Sequence, residues 1–270
     1  MTSPIAAHYA AGNEKDRLHS GSGQLERVRT QHILERVLPP APADIVDVGG
    51  GPGGYAAWLV ARGYSVDLLD LVPLHVEQAR AAFEISGHRN GRAEVGDARQ
   101  LPYRSESKDA ALLLGPLYHL PAEADRLRAL REAWRVLRPG GSVVVAGISR
   151  FASLMDGFFR GFIADPGFVG IVEADLESGR HENATENPAY FTTAYFHHPR
   201  DLANELEEAG FAGVEVLAVE GPFWCLQNFD EIWSKEELRQ RMLIFLRQVE
   251  RDQSLIGASA HLLALARKPN

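Results

Sequence analysis

The chain has 270 residues, 45% of them hydrophobic and 24% charged, with a formal net charge of −8. That length holds one large α/β domain or two small ones with a sizeable core, and the acidic balance argues against nucleic acid or an anionic membrane as a partner. A single cysteine, Cys225, excludes an intramolecular disulfide framework and any multi-cysteine zinc site. No apolar signal core opens the chain, and no run approaches the roughly 18 apolar residues of a membrane span. The expectation is a soluble, cytoplasmic protein with a small-molecule partner.

Residues 1–23 are polar, carry Gly12, Gly21 and Gly23, and read as an arm. Leu25, Val28, Ile33, Leu34, Val37 and Leu38 recur at helical spacing, and Pro39-Pro40-Ala-Pro42 stops that helix. A strand is expected over 44–48, then a glycine turn, then a helix over about 54–62 with Gly63 as its stop. A second strand follows over 64–70, and Pro73 opens a helix to about Ser86. Glu94-Val-Gly-Asp97 predicts a short third strand ending in an acid. Lys108-Asp-Ala-Ala-Leu-Leu-Leu-Gly115 is apolar enough for a central parallel strand. Ala122 to Leu137 predicts a helix closed by Arg138-Pro-Gly-Gly141, and Ser142 to Ile148 a fifth strand. This alternation argues for a doubly wound parallel sheet. Residues 150–197 interrupt it with a Phe-rich piece and a run of aromatics, the length of a segment that covers a site. A helix from Pro199 to Ala209, a strand over 214–219, a helix from Asp230 to about Arg251 and a strand over 259–267 complete the chain.

The chemistry concentrates in Asp47-Val-Gly49-Gly50-Gly51-Pro-Gly53-Gly54, between the first strand and its helix. Gly49, Gly51 and Gly54 satisfy G-x-G-x-x-G, a pattern that alone admits nicotinamide and flavin binders. Three features move the choice. Asp47 stands two residues before the first glycine, where a carboxylate opposes a pyrophosphate but suits an ammonium or sulfonium. Asp70, followed by Leu71, ends the second strand, where an acid accepts both hydroxyls of a ribose. Asp97 can accept from an exocyclic adenine amine while the Ala98 N–H meets a ring nitrogen.

With Leu137-Arg-Pro-Gly-Gly141 these pieces, in this order, resemble the class I S-adenosylmethionine-dependent methyltransferases. The resemblance covers residues 24–148 well and 199–267 in outline. It implies a Rossmann-like, seven-stranded α/β sheet whose last strand inserts antiparallel between strands five and six. It also implies one domain over 1–270. Residues 1–38 would form an N-terminal arm and first helix, 44–148 the cofactor-binding core, 150–197 an inserted lid and 199–270 the rest of the core. The implied cofactor is S-adenosyl-L-methionine, leaving as S-adenosyl-L-homocysteine. Gly49, Gly50, Gly51 and Gly53 would line its methionine half, Asp70 and Leu71 the ribose, and Asp97 and Ala98 the adenine. The Leu114 carbonyl would meet the methionine ammonium. Arg29, on the first helix, would pair with the cofactor carboxylate, or else be a solvated charge.

Methyl transfer from a sulfonium needs chiefly proximity and alignment, with a base when the nucleophile starts protonated. His119, just after the fourth strand, is the candidate general base; the alternative is that it lines the cofactor or caps the next helix. Tyr9 in the arm is a candidate to touch the sulfonium or transferring methyl, with an ordering role as the alternative. The aromatics of the insertion, with Phe223-Trp224, either line an acceptor cavity or pack the lid onto the sheet. No constellation demands a metal, since His119 and His197-His198 are isolated. The expected reaction is methylation of oxygen or nitrogen in a compact metabolite. Carbon methylation of quinone-biosynthesis type, a nicotinamide-dependent oxidoreductase and a cofactor-binding regulatory module are the alternatives. The protein is expected to be a monomer or a homodimer.

Overall fold

The structure is a computed structural model and describes residues 17–87, 90–185 and 187–270. The first half alternates helix and strand. It runs α1 (Gly23–Val37), β1 (Asp44–Val48), α2 (Gly54–Val60), β2 (Ser65–Asp70), α3 (Pro73–Ser86) and β3 (Gly91–Val95). β4 (Lys108–Leu113), α4 (Glu123–Val136) and β5 (Leu137–Ser149) follow. The insertion contributes α5 (Ala152–Arg160), α6 (Pro166–Ser178), β6 (Arg180–His181) and β7 (Ala194–His197). The chain closes with α7 (Pro199–Glu208), β8 (Ala212–Ala218), α8 (Phe229–Ser234), α9 (Glu236–Val249) and β9 (His261–Arg267).

Strand residues alternate between two cores, as a sheet covered on both faces requires. Ile45, Ala110, Leu112, Val144 and Leu263 pack with residues of α1, α2 and α3. Val46, Ala111, Leu113, Val143 and Leu262 pack with residues of α4 and α7. β1, β2, β3, β4 and β5 pair in parallel in the order β3-β2-β1-β4-β5. β9 then pairs antiparallel with both β5 and β8. The antiparallel last strand expected from the resemblance is therefore present.

The sheet has nine strands rather than seven, because the insertion adds β6 and β7. Ile148 of β5 pairs with His261 on one edge and Phe196 of β7 on the other. β7 thus continues along the edge that β4 leaves at Val145. Three boundaries also differ from expectation. β3 spans Gly91–Val95, and Asp97 lies in the turn beyond, where its carboxylate accepts the Arg99 backbone N–H at 2.9 Å. The Arg138-Pro-Gly-Gly141 stretch belongs to β5, which starts directly after α4. The helix expected over 230–251 is broken at Lys235, whose backbone is extended (φ −91°, ψ 107°).

Candidate active site

The carboxyl ends of β1, β2, β4 and β5 open onto a cavity of about 510 Å³, closed on one side by residues 17–31. This is where parallel sheets place ligands, at the crevice beside the strand ends. Gly49, Gly50, Gly51, Gly53, Asp47, Asp70, Leu71, Asp97, Ala98, Leu114 and His119 all line it. The structure therefore brings together nearly the whole set of residues expected from the sequence.

The glycine turn has physical reasons for its composition. Gly49 and Gly53 sit at φ +66° and +85°, where side chains are strained. A Cβ at Gly50 would stand 2.6 Å from Asp47 Oδ2 and 2.7 Å from Leu68 Cδ1. A Cβ at Gly51 would meet nothing within 4 Å, so that stretch of backbone faces open cavity. We expect Gly53→Ala to lower the melting temperature and weaken cofactor binding. Its Cβ would lie 2.9 Å from Ala79 Cβ, and the left-handed conformation adds about 1–2 kcal/mol. Thermal denaturation with and without cofactor measures both effects.

Asp70 holds this turn in place. Its Oδ2 accepts the Gly51 N–H at 2.9 Å, and its Oδ1 accepts the Val72 N–H at 2.9 Å. His75 Nδ1 lies 3.1 Å from Oδ1. Asp47 differs. It is 1% exposed, and neither carboxylate oxygen has a hydrogen-bond partner among the described residues. Burial, reinforced by the nearby Asp70 charge, pushes its pKa up to about 7. An unpaired buried carboxylate costs free energy unless a cation or donor meets it. Asp97 is half-exposed, and the Arg99 guanidinium bound to it holds its pKa below the usual range. The Leu114 carbonyl accepts the Tyr118 hydroxyl at a long 3.4 Å.

His119 reaches the cavity from a 3-10 turn after β4. Its Nδ1 lies 3.3 Å from the Thr193 carbonyl, and its ring centroid lies 5.9 Å from that of Phe191. Tyr9 lies outside the described residues. Arg29 is a correction. It is 1% exposed, does not line the cavity, and donates from Nη2 to Glu250 at 2.6 Å and from Nε to the Val219 carbonyl at 3.0 Å. The cause is helical phase: Leu25, Arg29 and Ile33 share the buried face, whereas Glu26, Arg27, Thr30 and Gln31 face the cavity. Reading that phase from the apolar positions would have selected Arg27.

Of the two roles left open for the insertion's aromatics, lining the cavity is not the one seen. Among the described residues, none of 150–197 lines the cavity. Its aromatics bury one another instead. Phe162, Phe168 and Tyr190 stand with ring centroids 4.8–5.4 Å apart in a cluster with Ile171 and Val172. Phe223 packs near Leu25 and Trp233, and Trp224 Nε1 donates to the Ala258 carbonyl at 3.0 Å. Neither lines the cavity.

Sequence reasoning missed a polar cluster at the cavity end nearest β9. His261 Nδ1 lies 2.6 Å from Glu220 Oε1 and 3.7 Å from Glu26 Oε2. Burial disfavours the His261 charge, but the Glu26 and Glu220 carboxylates outweigh it and raise its pKa to about 9. These three residues place ligand atoms within 4.8 Å of one another, a spacing open to a cation. Their acceptors are already used, however. Glu26 takes Arg17 at 3.0 Å, and Glu220 Oε2 takes Ser259 Oγ at 2.8 Å and the His261 N–H at 3.0 Å.

The residues fit a sulfonium nucleoside: an orphaned acid faces the cavity, a carboxylate closes the loop at ribose position, and bare glycine backbone lies between them. Residues 46–145 match the family described as "Methyltransferase domain". The chain carries a class I S-adenosylmethionine-dependent methyltransferase domain. Methyltransferase GfsG of Streptomyces halstedii is 34% identical over 121 residues. That match covers 44% of this chain and 42% of the relative, so the chain spans less than half of that protein's length. The tRNA 5-carboxymethoxyuridine methyltransferase of Escherichia coli (strain K12) is 27% identical over 259 residues, covering 92% of this chain and 89% of the relative. Among solved structures, a SAM-dependent methyltransferase of Methanosarcina mazei superposes with a TM-score of 0.60 at 18% identity. It covers 88% of this chain and 97% of that one, a likeness of fold. With a tRNA-modifying relative aligned along most of the chain, the expectation that excludes nucleic acid as a partner is unsupported. No helix among the described residues is long and apolar enough to cross a membrane.

Proposed function

We propose that the protein transfers a methyl group from S-adenosylmethionine to an oxygen or nitrogen of a small metabolite. The observation that carries the cofactor half is Asp47, buried and unpartnered beside the glycine turn. The bound cofactor supplies an electrophilic methyl on a sulfonium. Asp47 offers that cation a charge partner, Asp70 accepts from the ribose while holding the Gly51 N–H, and Asp97 with Ala98 borders the adenine. Arg27, lining the cavity from α1, takes the place assigned to Arg29 toward the cofactor carboxylate.

Tyr118, Leu120 and His119 border the acceptor side beyond β4. Because its Nδ1 faces a carbonyl, the neutral His119 ring carries its proton on Nδ1. His119→Ala should lower turnover at least about tenfold while leaving cofactor affinity within about twofold, the pattern of a residue that meets the acceptor. Turnover on an acceptor panel, run beside calorimetric cofactor titration, measures the two separately. Equal loss of both would move His119 into the cofactor shell.

A second reading, a nucleoside of tRNA as acceptor, is favoured by the E. coli relative that aligns along 92% of the chain. The net charge of −8 opposes it, because phosphate binding rests on basic surface. Radiolabel transfer from methyl-labelled cofactor to bulk tRNA or to a metabolite extract separates the two.

A further inference from the structure

The polar cluster between α1 and β9 is used by nothing in the reading above. His261 lies where β9 begins, on the sheet face covered by α1 and α2, and lines the cavity together with Leu263 and Ala146. Glu220 fixes its ring: Oε1 takes Nδ1 at 2.6 Å, while Oε2 is held by the Ser259 hydroxyl and the His261 backbone N–H. With Nδ1 so committed, Nε2 is the ring nitrogen left for a ligand. Tyr55, at the start of α2, lines the same cavity; its buried hydroxyl oxygen lies beside the Thr30 side chain, and its O–H proton is given to no acceptor among the described residues. Burial, and then the Glu26 charge, push that hydroxyl's pKa up, so it stays a donor.

We propose that His261, braced by Glu220, and Tyr55 form the acceptor subsite for a carboxylate, which they hold through one of its two oxygens. The proposal rests on the methyltransferase reading. One N–H donor and one O–H donor held on the same oxygen would leave the other as nucleophile. That second oxygen forms the O–CH₃ bond while the S–CH₃ bond of the methyl donor breaks, and the electron pair of that bond stays on sulfur. No proton is released, so no general base is needed, and His119 then contacts the acceptor without taking a proton. Charge allows an anion here. Arg17 neutralises Glu26 and the imidazolium neutralises Glu220, so the cluster sets no net negative charge against an anion at this end of the cavity. His261 stays charged below about 9, so the donor is present at neutral pH.

The test is titration of the protein, saturated with S-adenosylhomocysteine, with benzoate and with benzyl alcohol. Binding is followed by calorimetry and by the ring resonances of His261. The expected result is saturable benzoate binding that shifts those resonances, no such shift with benzyl alcohol, and benzoate affinity lost as pH rises through about 9. Tyr55→Phe, which removes only the hydroxyl, should weaken benzoate about tenfold or more and leave S-adenosylhomocysteine within about twofold. Glu220→Gln should move the pH midpoint downward, because it removes a charge that holds the imidazolium. Absence of benzoate binding, equal binding of the alcohol, or binding that strengthens with pH overturns the proposal. Failure of S-adenosylhomocysteine itself to bind overturns the methyltransferase reading instead.

Discussion

Asp70→Ala should weaken S-adenosylmethionine binding by about ten- to a hundredfold, beyond any effect on folding. The residue does two things at once. Its oxygens accept the Gly51 and Val72 N–H groups, so the carboxylate shapes the glycine turn from the adjacent strand. It also lines the cavity at the end of β2, where a ribose would meet it. Removing it leaves donors unsatisfied at about 1–3 kcal/mol each, and a factor of ten in affinity is about 1.4 kcal/mol. Asp70→Asn keeps an acceptor for one backbone donor and should retain more stability than Asp70→Ala while still losing ribose contact. Calorimetric titration with thermal melts of both variants separates the contributions. Normal cofactor affinity in a folded Asp70→Ala protein would show that the ribose sits elsewhere.

Asp47→Asn should raise the stability of the cofactor-free protein and lower its affinity for the cofactor. The sign follows from the pKa. Asp47 titrates near 7 in the fold against 3.8 when unfolded. Below about 3.8 the carboxyl is protonated in both states and costs nothing. As pH rises, the unfolded chain ionises first, so the fold loses stability until the pH passes about 7. A difference of one in pKa corresponds to about 1.4 kcal/mol, so the stake is on the order of a few kcal/mol. The asparagine variant lacks this titration. Its stability relative to the wild type should therefore climb between those two pH values and level off above. Cofactor affinity of the wild type should strengthen over the same range, because the ionised form attracts a cation. Denaturant melts and titrations at several pH values check both. A constant stability difference across that range would mean that Asp47 is already paired.

The cofactor half of the site was legible in the sequence because local chemistry dictates it. A strand that ends in glycines at positive φ, with acids at the ends of β1 and β2, places Asp47, Gly49, Gly51, Gly53 and Asp70 together whatever the rest of the chain does. Alternating apolar runs likewise announced β1, β4 and β5. What failed depended on phase and on long-range packing. Arg29 lies two residues from Arg27, yet 200° of helical turn sends it into the core, where it meets Glu250 more than two hundred residues away. The Phe-rich insertion carries the composition of a cavity lining, and only tertiary contacts reveal that Phe162, Phe168 and Tyr190 face one another. The Glu26–Glu220–His261 cluster draws on α1, the turn after β8 and β9. No spacing along the chain hints at it. The nearest signal is that His261 opens a strand whose other residues are apolar up to Arg267.

The most direct test of the central claim is parallel calorimetric titration with S-adenosylmethionine, S-adenosylhomocysteine and NADH. Saturable binding of both sulfur nucleosides without NADH is the predicted result. Binding of NADH alone would contradict the account and return the glycine turn to the nicotinamide enzymes.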